Sequence, residues 1–320
     1  MRSYIIKRLI YTVIIAWGIL TVTFILLRVG PSSPVDRYIL NIASKGQDVE
    51  SVTKALEARY GLNKPLYEQY FDYMGNLLQG KWGWSFSSST TVMDLIGSHW
   101  IYSFQLILLS TILAILIGVG LGMLASVKRN TKVDYAISVF SFMGISIPGF
   151  WLGLMLILVF AVQLGWVKTF YDTSYPIWSW QNLRQLILPV LALAIGELAG
   201  YVRYTRSAML DNLRKEFVTT ARAKGLPETT VIGKHVFRNA VLPLVTIFMF
   251  DLGSVVFGGA YLTEIVFGIP GLGQVSFNAI FANDYAVVIA VTLIGTFLVL
   301  FINLATDILY TYLDPRIRYD

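Results

Sequence analysis

Six stretches of this chain are apolar and long enough to cross a bilayer whose hydrocarbon core is about 30 Å thick. They cover residues 9–27, 101–127, 135–164, 185–202, 241–262 and 286–310. Lipid offers backbone groups no hydrogen-bond partner, so a spanning segment must be a helix or part of a closed barrel. Runs of this length read as helices. Of the 320 residues, 56% are hydrophobic and 14% charged, which is outside the range of ordinary soluble domains. The sequence therefore predicts an all-α integral membrane protein with six transmembrane helices.

The spans divide the chain unevenly. Residues 1–29 hold a short basic N-terminus and the first span. Val29-Gly30-Pro31 is a poor cleavage site, so that span is expected to be retained. Charges return over residues 30–98, where Leu56, Tyr60, Leu66, Tyr70 and Leu77 keep a broken helical period punctuated by Gly61 and Pro65. This reads as a small helical insert between spans 1 and 2. Residues 99–320 hold the other five spans. Gly118, Gly120 and Gly122 permit close helix approach in the second span, as do Gly253, Gly258 and Gly259 in the fifth. Ser146, Pro148 and Gly149 interrupt the third, and a proline there should kink it.

The net charge of +6 could suggest a nucleic-acid partner, but its distribution argues for membrane topology instead. Of 25 Lys and Arg, 16 fall in the termini, the short basic turn after span 2 and the loop at 203–240; the other 9 lie mostly in the 30–98 insert. The positive-inside rule then puts both termini and the 203–240 loop in the cytoplasm and the insert outside the cell. Zero cysteines exclude disulfides and thiolate sites.

Between spans 4 and 5 lies a basic, helix-forming stretch, TTARAKGLPETTVIGKHVFRNAVLP, at 219–243. Met209, Leu210, Leu213, Phe217 and Ala221 fall on one helical face, and Arg214, Lys215 and Arg222 lie off it. Gly225 sits where that helix should end in a left-handed turn. Pro227 and Glu228 suit the start of a second helix, and Pro243 the start of the next span. Such a stretch is either a solvated connector or a docking element for a cytoplasmic partner.

No Walker-type phosphate loop occurs, GIPGLG lacks dinucleotide spacing, and the only two histidines, His99 and His235, lie far apart. Glu197 and Asp251 fall inside spans, where a charge is costly. Two readings stand for them: a pathway or gate, or neutral hydrogen-bonded helix contacts.

Thr220, Ala221, Arg222, Ala223, Lys224, Gly225 and Leu226, then Arg238, Asn239, Ala240, Leu242 and Pro243, resemble the cytoplasmic EAA loop of permease subunits in ATP-binding-cassette importers. The match is to the peptide/nickel branch, the dipeptide and oligopeptide permeases, B-type subunit. Thr219 and Thr220 replace the usual Glu-Ala, and the interval from Gly225 to Pro243 is long; both fit that branch. Further matches are the LNKP and GKWGWS segments, Ser146, Pro148, Phe150 and Gly153, then Arg203, Arg206, Met209 and Leu210. The last is Glu264, Val266, Phe267, Pro270, Gly271, Leu272 and Gly273, in an outer loop.

The resemblance implies the type I importer permease fold and a non-catalytic subunit in the cell membrane. It implies a second homologous permease, two ATPase subunits carrying the ATP and Mg, and an extracytoplasmic binding protein that delivers peptides. This chain would bind no cofactor or metal itself. Residues 220–228, including Pro227 and Glu228, would couple to the ATPase; Pro148, Glu197, Asp251 and Glu264 are candidates for the pathway or its gate. Nickel chelates or oligosaccharides are alternative cargoes. A stand-alone secondary transporter or channel is the rival of another class, disfavoured by the absence of a clear inverted repeat and by the few intramembrane charges.

Overall fold

The computed structural model describes residues 2–29, 50, 54, 63–85, 87–254 and 260–313. The described chain is almost wholly helical. α1 (Arg2–Val29) leads, and α2 (Leu66–Leu78) follows the insert's N-terminal part, most of which lies outside the described residues, with Leu56 and Tyr60. Tyr70 and Tyr73 of α2 pack on Phe24 of α1, with ring centroids 5.4 and 5.8 Å away, and Thr21 and Tyr70 share a 2.7 Å hydrogen bond. The insert is not wholly helical: Trp84–Ser85 (β1) and Thr90–Thr91 (β2) pair antiparallel.

α3 (Val92–Val127) starts nine residues before the expected span at 101. The expected boundary at residue 98 thus falls inside a helix. The signal was local: Thr91 Oγ1 accepts from the Asp94 backbone N–H at 3.1 Å and so caps the first turn. At 36 residues the helix is about 54 Å long. It packs along α7 (Ile187–Leu213), where Gly118 and Gly122 leave no room for a side chain. A Cβ on Gly118 would lie 2.7 Å from Tyr201 Cβ, and one on Gly122 2.6 Å from Thr205 Cβ. Gly120 faces open space, because only glycines four apart share a face. Gly253 is likewise tight, against Ile302; Gly258 and Gly259 lie outside the described residues.

The third span breaks where the sequence puts Pro148. α4 (Lys132–Ser146) and α5 (Gly149–Leu156, with π-helical turns to Gln163) meet at 95°. Proline lacks the N–H for the helical ladder and pushes the preceding residue out of the helical region; Ile147 is extended, with ψ 119°. Beyond the short α6 (Trp180–Gln185), α7 runs eleven residues past the expected end of span 4 at 202. The helix expected from Arg203 onward is therefore its continuation, broken at Arg214-Lys215 before α8 (Glu216–Ala223).

The fifth span departs furthest from expectation. α9 (Glu228–Ala240, π-helical over Val231–Val236) and α10 (Leu242–Gly253) meet at 54°. The stretch expected as an outer loop folds into α11 (Tyr261–Phe267) and α12 (Leu272–Phe281), 99° apart. α13 (Tyr285–Leu313) closes the described chain. Among the described residues, three unbroken helices, α3, α7 and α13, are long and apolar enough to cross a membrane by themselves, each bent pair can supply one more crossing, and α1, where the first span was expected, contributes a shorter apolar stretch at Ile10–Leu26.

Candidate functional site

The central stretch builds an exposed helix–turn–helix seated on a buried floor. Met209 of α7, Val218 and Ala221 of α8 and Val231, Val236 and Ala240 of α9 pack together, all nearly inaccessible. Of the expected stripe, Met209 and Ala221 are buried here and Leu213 and Phe217 pack against them, with two helices sharing the face; Leu210 lies outside this cluster. At the end of α8 the Gly225 N–H bonds to Arg222 O at 2.9 Å and the Leu226 N–H to Ala221 O at 3.4 Å. This crossed pair, with Gly225 at φ 71°, is the left-handed helix stop that glycine favours.

Pro227 is the N-cap of α9, one position earlier than expected, and Glu228 opens its first turn. The Arg222 guanidinium holds the Glu228 carboxylate through bonds of 2.6 and 3.1 Å, tying the two helices across the turn. Thr220 and residues 222–228 are all exposed, including the apolar Leu226. Of the nine residues expected to dock a partner, only Ala221 is buried, and it supports the other eight.

Of the four pathway candidates, the structure brings two together. Glu197 and Tyr201 lie one turn apart on α7, and Tyr201 Oη donates to Asp251 Oδ2 of α10 at 2.5 Å. Ser110 and Thr111 face Glu197 from α3, and Asp251 is near enough to act on it electrostatically. Glu197 Oε2 is buried without a hydrogen-bond partner. Around this polar group close Ala114, Ala194 and Leu244. Pro148 lies apart, exposed at the break between α4 and α5.

Glu264 is elsewhere again, fully buried inside the α11–α12 elbow. Its Oε1 accepts from Ser103 Oγ of α3 at 2.5 Å and its Oε2 from the Gln274 N–H at 3.1 Å. Ser103 Oγ in turn accepts from the Leu272 N–H at 2.7 Å. The carboxylate thereby sits at the N-terminus of α12, where the helix dipole favours it. Gly271 and Gly273 are required by close approach: side chains there would collide with the Glu264 carboxyl.

Sequence reasoning missed two further polar anchors. Asp134 of α4 takes bonds of 2.7 and 2.8 Å from Arg206 of α7, and one of 2.9 Å from the Asn130 N–H. Asp284, ahead of α13, is inaccessible and accepts from Ser85 Oγ and from Ser87 N–H and Oγ at 2.7, 3.0 and 2.9 Å. The only sequence signal for either was an acid at the foot of an apolar run. In the loop between α5 and α7, the Lys168 ammonium and the Ser174 donors hold the Asp172 carboxyl well below the usual carboxylate range.

Apolar helices bent at defined points, buried polar contacts within them and an exposed helical elbow are the features of a helical membrane protein. The family model "Binding-protein-dependent transport system inner membrane component" matches residues 118–319, and the corresponding N-terminal model matches residues 1–104. The chain belongs to this family of transport permeases. It is 39% identical to the oligopeptide transport system permease protein AppB of Bacillus subtilis, and 37% identical to the oligopeptide permease protein OppB of Haemophilus influenzae, with all of each chain covered. The glutathione transport system permease protein GsiC of Escherichia coli is 36% identical, again over the whole of both chains. Among solved structures, a chain of the MetNI methionine ABC transporter in an inward-facing conformation aligns with TM-score 0.55 at 20% identity. That match covers 69% of this chain and 97% of the other. The fold is that of the type I ABC importer permeases, and the expectation of an ABC transport permease is met.

Proposed function

We propose that this chain is one half of the membrane channel of an ATP-driven peptide importer. It pairs with a second, homologous permease; two ATPase subunits beneath carry the ATP and Mg, and an extracytoplasmic binding protein delivers the peptide. Relatives named for oligopeptides, dipeptides and glutathione share the peptide bond as cargo chemistry and support this substrate class. The observation that carries the reading is the exposed elbow at 216–240. Leu226 and the Arg222–Glu228 pair stand outward on a rigid, buried base, as a lug that fits a partner's cleft must.

In this reading the termini and the 203–240 loop are cytoplasmic. Closure of the ATPase pair moves the elbow, and α7 and α9 pass the motion to the spans, shifting the population between inward- and outward-facing states. The chain itself performs no chemistry. Glu197 and Asp251 sit at the joint of α3, α7 and α10, where such a motion must be accommodated.

The test uses Ala221→Phe, which overpacks the floor beneath the elbow. The variant chain should still insert and pair with the second permease. Copurification of ATPase subunits should fall, or hydrolysis should continue without peptide uptake. Wild-type coupling in this variant would defeat the assignment. Orientation is read separately: the chain has no cysteine, so Lys215→Cys can be probed alone. An impermeant thiol reagent should leave it unlabelled in intact cells and label it in inverted vesicles.

A further inference from the structure

Between α4 and α7, at the end of the bundle that carries the elbow, lies a cleft of about 240 Å³. Two clamps fix its width. On one side of it Gly144 lets α4 approach α7 so closely that a Cβ would lie 3.1 Å from Ile195 O. On the other the bidentate Asp134–Arg206 pair bridges the same two helices. The gap between the clamps is walled by Phe142, Ile145 and Val202 and rimmed by Arg203, Arg206 and Ser207.

The two arginines are in different states. Arg206 is neutralised by Asp134. Arg203 is exposed, with its guanidinium 5.3 Å from the Tyr204 ring; among the described residues no carboxylate reaches it within ion-pair distance. The cleft therefore presents one uncompensated cation at the mouth of an apolar slot. Beside the slot, Val139, Phe140 and Met143 of α4 are exposed apolar side chains, which suit contact with acyl chains. Basic pockets between spanning helices are suited to acidic lipid headgroups, and the bilayer supplies that ligand at high local concentration.

We infer that this cleft binds an anionic glycerophospholipid, its phosphate at Arg203 and one acyl chain against Phe142 and Ile145. A solute carboxylate would satisfy the arginine but gain nothing from the walls, which open toward lipid. The bound lipid fills the gap between α4 and α7 and fastens the outer helix to the one that leads into the elbow.

The test is retention of lipid by the assembled transporter. The complex is reconstituted with a mixture of phosphatidylglycerol and phosphatidylcholine, stripped with mild detergent, and the lipid left on this subunit is counted by native mass spectrometry. Wild type should retain phosphatidylglycerol in preference to phosphatidylcholine. Arg203→Gln should lower that retention about fivefold, the factor expected for one basic residue near an acidic lipid surface. Ile145→Trp, which fills the slot and keeps the arginine, should displace the lipid as well, and serves if Arg203→Gln fails to assemble. Equal retention of the two lipids by wild type would overturn the inference. So would unchanged retention in both variants, or photo-cross-linking of benzophenone-labelled Ser138→Cys to the second permease, which would show protein rather than lipid in the cleft.

Discussion

Two elbows in this molecule are made from the same backbone device and put to opposite uses. At Gly225 and at Gly268 a short helix stops in a left-handed glycine, with φ 71° and 67°, and crossed backbone bonds close the turn. Around the first, a Cβ on Gly225 would meet nothing within 4 Å, and the charges are an exposed ion pair. Around the second, Gly271 and Gly273 press on the inaccessible Glu264 carboxylate, which Ser103 and Gln274 hold from two elements. A turn closed upon its own buried acid has its shape fixed within the chain. A turn with its polar groups facing outward leaves that surface for another molecule. The difference lies in the flanking residues and not in the turn.

The sharpest way to break this comparison is to attack the closed elbow. Glu264→Ala strands the Ser103 hydroxyl and the Gln274 N–H in a buried site, at about 1–3 kcal/mol for each group. Gly271→Ala forces a methyl into the space of the carboxyl, with an overpacking cost of about 1–3 kcal/mol. Both variants should be poorly produced and melt well below wild type by fluorescence-detected chromatography; a wild-type melt for both would remove the fastening role.

Asp251→Ala comes next. It takes the acceptor from Tyr201 and should cost about 1–3 kcal/mol, while Asp251→Asn keeps an acceptor and should be milder. Thermal stability and uptake measured on the same preparations separate a helix contact from a pathway group. If stability falls and uptake per folded complex holds, the contact reading stands.

Gly225→Val should matter less to the fold and more to coupling. A left-handed non-glycine residue costs roughly 1–2 kcal/mol, more when β-branched, and nothing nearby adds a clash. The complex should assemble while its ATPase docking or coupling fails. A melting shift as large as that of Gly271→Ala would show that the open elbow also fixes the fold. The smallest effect belongs to Arg222→Ala. Its pair with Glu228 is solvent-exposed, so the stability loss should be the smallest of the series and shrink with added salt.

What the sequence made legible follows from how local each signal is. Pro148 marks its break because proline acts on its own backbone and on the residue before it. Gly225 marks its turn for the same reason, and the apolar runs mark their helices because lipid permits little else. The folding of 261–281 into two helices was not legible, because Glu264 is an acid whose partners lie 161 residues back and ten forward. Asp134 and Asp284 were hidden likewise, with partners 72 and about 200 residues away. The true start of α3 was legible in principle from Thr91 and Asp94, but Gly97, Ser98 and His99 interrupt the apolar run that follows the cap.

The glycine seam between α3 and α7 has a mechanical consequence. Where Gly118 and Gly122 bring the two backbones nearly into contact, one helix cannot slide or roll on the other without a steric clash. The pair must turn as one stiff rod. A rod about 54 Å long that pivots by about 10° sweeps its far end through about 9 Å. Leverage of that size depends on two missing methyl groups, since an added Cβ at Gly122 would meet Thr205 Cβ at 2.6 Å and Val202 O at 2.7 Å and force the two helices apart.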